Sequence, residues 1–156
     1  MTRPADAARH VVAPGFVDLH EHGQQDESYR MMVRDGVTSA FEREAGTADV
    51  GGWDAAREGG QVVNYGVSVG HIGARTQAMG DPALSARGRS TRRPATPQQL
   101  DETDRLLRVG LAQGAVGIGL GSAYTPGASM AELERMFGVA AERGVLVSVR
   151  LDTNRR

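Results

Sequence analysis

Five short runs of this chain alternate apolar with small or polar residues at a period of two, and glycine or proline punctuates each: residues 15–22, 37–44, 62–69, 115–121 and 145–150. Runs of this kind read as strands. Between them, helical patterns fall over residues 24–34, 52–58, 96–113 and 129–143. The last two are the stronger. Leu100, Leu106, Leu107 and Leu111 make one apolar stripe, Thr96-Pro97 and Ser129 supply N-terminal signals, and Gly114 and Gly144 supply stops. The order (βα)4β predicts a parallel α/β sheet.

Parity within the strands adds to this. Val17 and Leu19 alternate with Asp18, His20 and His22, and Val37 and Phe41 alternate with Thr38, Ala40, Glu42 and Glu44. Val63, Tyr65, Val67 and Val69 oppose Asn64, Gly66 and Ser68, while Val116, Ile118 and Leu120 oppose Gly117, Gly119 and Gly121. One face is apolar and the other small or polar, as in a barrel whose outer face lies under helices. A complete (β/α)8 barrel needs about 250 residues, and this chain has 156. The pattern therefore leaves two architectures open, a five-stranded open sheet and the front part of a barrel.

Residues 71–97 show no clear period and predict a long loop between the third strand and the next helix. Arg87, Arg89, Arg92 and Arg93 cluster there, but no aromatic residues interleave to stack bases, so the cluster reads as a solvated surface.

Composition narrows the chemistry. Hydrophobic residues make up 40% and charged residues 24%, the profile of one globular domain, and the net charge of -1 provides no field for nucleic acid or an anionic membrane. No cysteine is present, which removes disulfides, thiolate metal sites and a cysteine nucleophile and fits a cytoplasmic setting. Every basic side chain is arginine, so P-loop, Schiff-base and carboxylated lysines are excluded as well. The N-terminus lacks a secretory pattern, and no apolar run approaches a membrane span. Gly117-Ile118-Gly119-Leu120-Gly121 lacks the dinucleotide-binding spacing and stands in the fourth unit rather than the first.

The best candidate for chemistry is His20-Glu21-His22 at the end of the first strand, where alternation sends both imidazoles to one side as neutral nitrogen ligands for one cation. Its setting, Pro14-Gly15-Phe16-Val17-Asp18-Leu19-His20-Glu21-His22, resembles the first-strand signature of the amidohydrolase superfamily. The similarity continues through Gly36-Val37-Thr38-Ser39, residues 48–64 with Trp53 and Arg57-Glu58-Gly59, Val69-Gly70-His71-Ile72-Gly73-Ala74-Arg75, and residues 114–127. These segments resemble the N-acyl-D-amino-acid deacylase branch over nearly the whole chain.

The resemblance implies a TIM-barrel hydrolase, of which residues 1–156 would be a single partial domain covering about the first five strands, with residues 1–14 as a lead-in. It implies cleavage of the amide C–N bond of N-acyl-D-amino acids or related compounds by zinc-activated water, with one or two zinc ions in the family and at most one here. In that family a metal-binding cysteine follows the second strand. Glu42-Arg43-Glu44-Ala45-Gly46 stands in its place, making Glu44 the first candidate third ligand and Glu42 the second. The competing reading is an inward carboxylate paired with an arginine such as Arg43 or Arg75. On the fifth strand, Ser148 and Arg150 stand where the family has a histidine ligand and an arginine, and serine is a poor zinc ligand.

His71 and Arg75 share the family's Gly-His-x-x-x-Arg arrangement and are candidates for catalytic contact with substrate, against a capping role for His71. Tyr124 and Arg150 are candidates for lining the substrate mouth. The resemblance further implies an internal portion of a larger enzyme, with residues 151–156 departing from the family's continuation. The alternative function is an inactive remnant or a non-enzymatic α/β binding module. A small N-acyl amino-acid-like substrate is the expected partner, without nucleic acid or membrane, and open sheet edges predict self-association.

Overall fold

The computed structural model describes residues 6–83 and 85–151. Five strands, β1 (Phe16–Asp18), β2 (Val37–Thr47), β3 (Asn64–Gly70), β4 (Ile118–Gly121) and β5 (Val147–Arg150), pair in sequence order and all run parallel. The helices are α1 (Asp26–Arg34), α2 (Val50–Ala55), α3 (His71–Ala78), α4 (Pro97–Ala112) and α5 (Met130–Arg143). The sheet curls until β2 also touches β4 and β5, giving a half-barrel, the partial form of the barrel that the family resemblance implies and one of the two architectures that strand parity leaves open.

The apolar strand face meets helices as predicted. Val67, Val69, Ile118 and Leu120 pack with Leu107, Met136, Val139 and Ala140 in the main core, and Leu106 and Leu111 flank it. Tyr29, Ala40 and Val63 form a smaller cluster under α1. Both long helices begin at their expected caps. Thr96 forms a reciprocal capping box with Gln99, and Ser129 Oγ accepts the Glu132 N–H at 3.2 Å. Gly144 closes α5 in the left-handed conformation, φ 64°.

The small residues of the inner face allow close backbone approach inside the curl. A Cβ at Gly119 would stand 2.4 Å from the Glu44 carbonyl, so β2 and β4 come together there only because position 119 has no side chain. The β2–β3 register is irregular between Glu42 and Thr47, and Gly46 turns there with φ +62°. This bulge carries Glu44.

Two expectations are corrected. The first strand stops at Asp18, so His20 and His22 lie beyond it on an irregular segment. Residues 71–97 are not one long loop: they open with α3 and include a short 3-10 turn, Arg89–Arg92. Helix α3 escapes a periodicity search because its buried residues include His71, Arg75 and Thr76 beside Ile72 and Ala74. Tertiary ion pairing, not an apolar stripe, holds it in place. The expected departure of residues 151–156 lies outside the described residues for 152–156, as do positions 1–5 of the lead-in.

Candidate metal centre

Although β1 ends early, the chain beyond it keeps course beside β2. The Glu21 N–H donates to the Phe41 carbonyl at 3.1 Å, and the His20 N–H donates to Asp18 Oδ1 at 2.9 Å. From the far side, Arg57 stacks 3.7 Å above the Trp53 ring and donates to the Gln24 carbonyl at 2.8 Å, pinning the turn just after His22. Held in this way, the two imidazoles meet edge to face with centroids 4.8 Å apart.

Three ligand-type atoms converge. His20 Nε2 and His22 Nε2 are 3.1 Å apart, and Glu44 Oε2 lies 3.0 Å from the first and 3.2 Å from the second. Glu42, the other carboxylate of β2, lies behind this trio. It accepts a hydrogen bond from His22 Nδ1, and its Oε1 accepts the Ala45 and Gly46 N–H groups at 3.1 and 3.4 Å. Glu42 therefore orients His22, while Glu44 faces the shared centre. A proton on His22 Nδ1 leaves the Nε2 lone pair directed at Glu44 and His20.

This donor set fits a divalent cation. Three lone-pair atoms facing one another at 3.0–3.2 Å require a proton or a cation among them. Ligand atoms about 2.0–2.1 Å from a tetrahedral zinc lie roughly 3.3–3.4 Å apart. The hydrogen bond to Glu42 raises the pKa of His22; partial desolvation opposes it, and the charges of Glu42 and Glu44 add to the rise.

His22 and Glu44 open onto a cavity of about 560 Å³ beyond the C-terminal ends of the strands, where barrel enzymes place their sites. Tyr124 and Arg150 line it as well, as do Asp49, Ile72, Gly73, Ser85 and Ala86. Arg150 Nη1 lies 3.4 Å from both Glu44 oxygens, and its guanidinium stands 5.5 Å from the Tyr124 ring. Asp49 accepts the Gly52 N–H at 2.9 Å and so caps α2.

His71 and Arg75 lie elsewhere, in the interior and away from this cavity. Both are fully buried and bond to Glu132 at the start of α5, His71 Nε2 at 2.9 Å and Arg75 Nη1 to both carboxylate oxygens. Arg75 Nη2 also donates to the carbonyls of Ser90 and Arg93. This closed network ties α3, α5 and the connection before α4 together, and neither side chain lines the cavity. Glu132 carries no local sequence signal, because its partners are 57 and 61 residues away in sequence. The arginines at 87, 89, 92 and 93 are exposed, as predicted for a solvated surface.

A curled parallel half-barrel with a His-x-His pair and a second-strand carboxylate at the C-terminal strand ends forms a candidate metal site of the amidohydrolase type. No family model matches the chain. N-acyl-D-glutamate deacylase of Alcaligenes xylosoxydans xylosoxydans is 30% identical over 175 residues, covering 92% of this chain and 34% of that protein. A solved D-aminoacylase with a binuclear metal centre superposes with a TM-score of 0.70 at 22% identity, over 88% of this chain and 34% of the other. The N-acyl-D-glutamate deacylase of Bordetella bronchiseptica, solved with zinc and a phosphonate inhibitor that mimics the tetrahedral intermediate, gives 0.69 at 25% identity, over 87% and 33%. The chain is a homologue of the D-aminoacylase branch of the amidohydrolases and spans about a third of the length of these relatives.

Proposed function

We propose that this chain carries the metal-binding part of a hydrolase that cleaves the amide C–N bond of N-acyl-D-amino acids or related compounds. The observation that carries this reading is the convergence of His20 Nε2, His22 Nε2 and Glu44 Oε2 within 3.2 Å at the cavity mouth. Zinc held by these three residues supplies Lewis acidity toward the amide carbonyl and lowers the pKa of water toward about 7. Glu42 keeps the proton on His22 Nδ1, so that Nε2 stays a lone-pair donor. Arg150, through the N–H groups that do not face Glu44, and Tyr124 engage the anionic end of a small substrate in the cavity. His71 and Arg75 act as positioning residues for the wall formed by Ile72 and Gly73.

Cleavage also requires an acid to return a proton to the departing amine, a contribution worth about 10²–10⁴ in rate. Among the described cavity-lining residues the only carboxylate besides Glu44 is Asp49, which is engaged in capping α2. The chain by itself is therefore expected not to turn over. A second reading, an inactive remnant or an α/β binding module, is favoured by Ser148, which sits opposite Gly119 with a hydroxyl where the resemblance implies an imidazole. A cytoplasmic setting and residues 1–156 as one partial barrel domain complete the reading.

Zinc content after loading and desalting tests it: about one equivalent in the wild type and none in the His20→Ala, His22→Ala double variant. Equal metal in both sinks the site. Amine release from N-acetyl-D-glutamate and related N-acyl-D-amino acids separates the two functions. Zinc-dependent turnover by this chain, lost in His20→Ala, would refute the expectation of inactivity.

A further inference from the structure

Hydrogen bonds to and from Gln24 surround the turn that follows the His-x-His pair. Its backbone N–H donates to the His22 carbonyl at 3.1 Å, and its side-chain Nε2 donates to the Glu21 carbonyl at 2.8 Å. One residue thus holds the peptide groups on both sides of the His22 Cα. Two further bonds anchor Gln24 itself. Its Oε1 accepts the Tyr29 hydroxyl from α1, and its backbone carbonyl accepts Arg57 Nη2 at 2.8 Å from just past the end of α2. Both anchors are held from behind. Tyr29 is fully buried in the small cluster with Ala40 and Val63, and Arg57 lies over the Trp53 ring while its Nη1 donates to the Trp53 carbonyl at 2.7 Å. The Tyr65 hydroxyl donates to the Arg57 carbonyl at 3.2 Å. Burial pushes the Tyr29 phenol above its ordinary 10.0 against the opposing pull of Arg57, so it is a hydroxyl donor at neutral pH.

Resting on the metal-site reading above, we propose that Gln24 is a positioning residue of this centre: by holding both peptide groups of His22 it does the work of the strand that has already ended at Asp18. Glu42 sets the proton and the ring of His22 from the Nδ1 side, but a ring is aimed only as well as the backbone that carries it. Zinc–ligand distances are held to about ±0.2 Å, so a looser turn weakens binding. The task calls for a side-chain amide. The group must donate to a backbone carbonyl and accept from a phenol at the same time, which an amide does and a carboxylate does not. Asparagine is one methylene short of the same reach, and methionine matches the shape but makes neither bond. Through Tyr29 and Arg57, the packing of α1 and of the end of α2 is passed on to a metal ligand that neither element carries.

The test is the zinc affinity of the full chain by chelator competition, read beside the visible spectrum of Co²⁺ at the same site and urea melts of each metal-free protein. Gln24→Met is expected to bind zinc roughly five- to tenfold more weakly, near the low end of the range for groups that support a ligand, and to shift the Co²⁺ bands. Tyr29→Phe removes one anchor and should move both readouts the same way by less; it stands in if Gln24→Met does not fold. Thr96→Ala is the control, because it lowers stability through the α4 cap without touching the centre, and its affinity and spectrum should match wild type. A Gln24→Met protein with wild-type affinity and spectrum overturns the proposal and leaves the metal site standing. A loss in Thr96→Ala as large as that in Gln24→Met does the same, since overall stability would then set the affinity. Imidazole ¹⁵N shifts of the metal-free chain keep the two readings apart. A wild type that takes up no zinc overturns the metal-site reading, whereas His22 shifts that are identical in wild type and Gln24→Met overturn the positioning by Gln24.

Discussion

Glu42→Gln is the most informative single change at the centre, because it alters charge and proton placement with almost no change in shape. The Glu42 carboxylate accepts three donors: the His22 Nδ1–H at one oxygen and the Ala45 and Gly46 N–H groups at the other. Glutamine has one acceptor oxygen and one NH₂ group, so it cannot serve both sides. If its oxygen faces the bulge, NH₂ faces His22 Nδ1, and the imidazole must move its proton to Nε2, where the metal should bind. If its oxygen faces His22, NH₂ opposes two backbone donors and loosens the bulge that carries Glu44. Either outcome acts on metal binding through a ligand, and loss of such a supporting group typically costs 10–100-fold in affinity, about 1.4–2.7 kcal/mol. Glu44→Gln removes a ligand outright and should cost more. The assay is the zinc affinity of wild type and both variants by chelator competition. A Glu44→Gln variant with unchanged affinity beside a Glu42→Gln variant without affinity would show that Glu42 is the ligand and that the division of roles argued here is wrong.

Glu132 is the corresponding test of the scaffold. Burial pushes its carboxyl up, but the hydrogen bonds and charges of His71 and Arg75 outweigh it, and the net pKa lies below the ordinary 4.5. A depressed folded pKa contributes stability that is fully present above the unfolded value and is lost as pH falls through the lower folded value. The protein should therefore weaken below about pH 4.5, and Glu132→Gln, which leaves the Arg75 charge buried and uncompensated, should cost about 3–5 kcal/mol at neutral pH and flatten that acid limb. Urea melts at pH 7 and pH 4 measure both, and a loss under about 1 kcal/mol would mean the network is not a buried ion pair in effect. At the open edges, Phe16 and Val17 of β1 and Val149 and Leu151 at β5 are largely exposed, so the isolated chain should associate and melt broadly. Light scattering with thermal melts checks this, and a sharply melting monomer would show the curled sheet to be self-sufficient.

Where alternation and capping are local rules, the sequence alone determined the outcome. Apolar parity placed Val67, Val69, Ile118 and Leu120 under α4 and α5, because a strand side chain has only two faces to choose between and the helices cover one of them. Thr96, Ser129 and Gly144 mark helix ends because the orphan N–H and C=O groups there are met by residues one to three positions away. The His-x-His spacing was legible in the same way, although the rings converge on an irregular segment held by Phe41, Asp18 and Arg57 rather than on a regular strand.

The tertiary structure decided what depends on partners distant in sequence. Glu42 and Glu44 share one parity and one composition, and only the bulge at Gly46, allowed by glycines at 70 and 119, turns one toward His22 Nδ1 and the other toward the shared centre. His71 and Arg75 share the family's arrangement as letters, and in the fold Glu132 holds both in the interior, since a buried cation persists only where a carboxylate meets it. Helix α3 follows from that pairing rather than from any apolar period, and Arg150 meets Glu44 across 106 positions because β5 curls round to within reach of β2. Alternation and caps are written within a few residues of one another, but burial and charge pairing exist only after the chain has closed on itself.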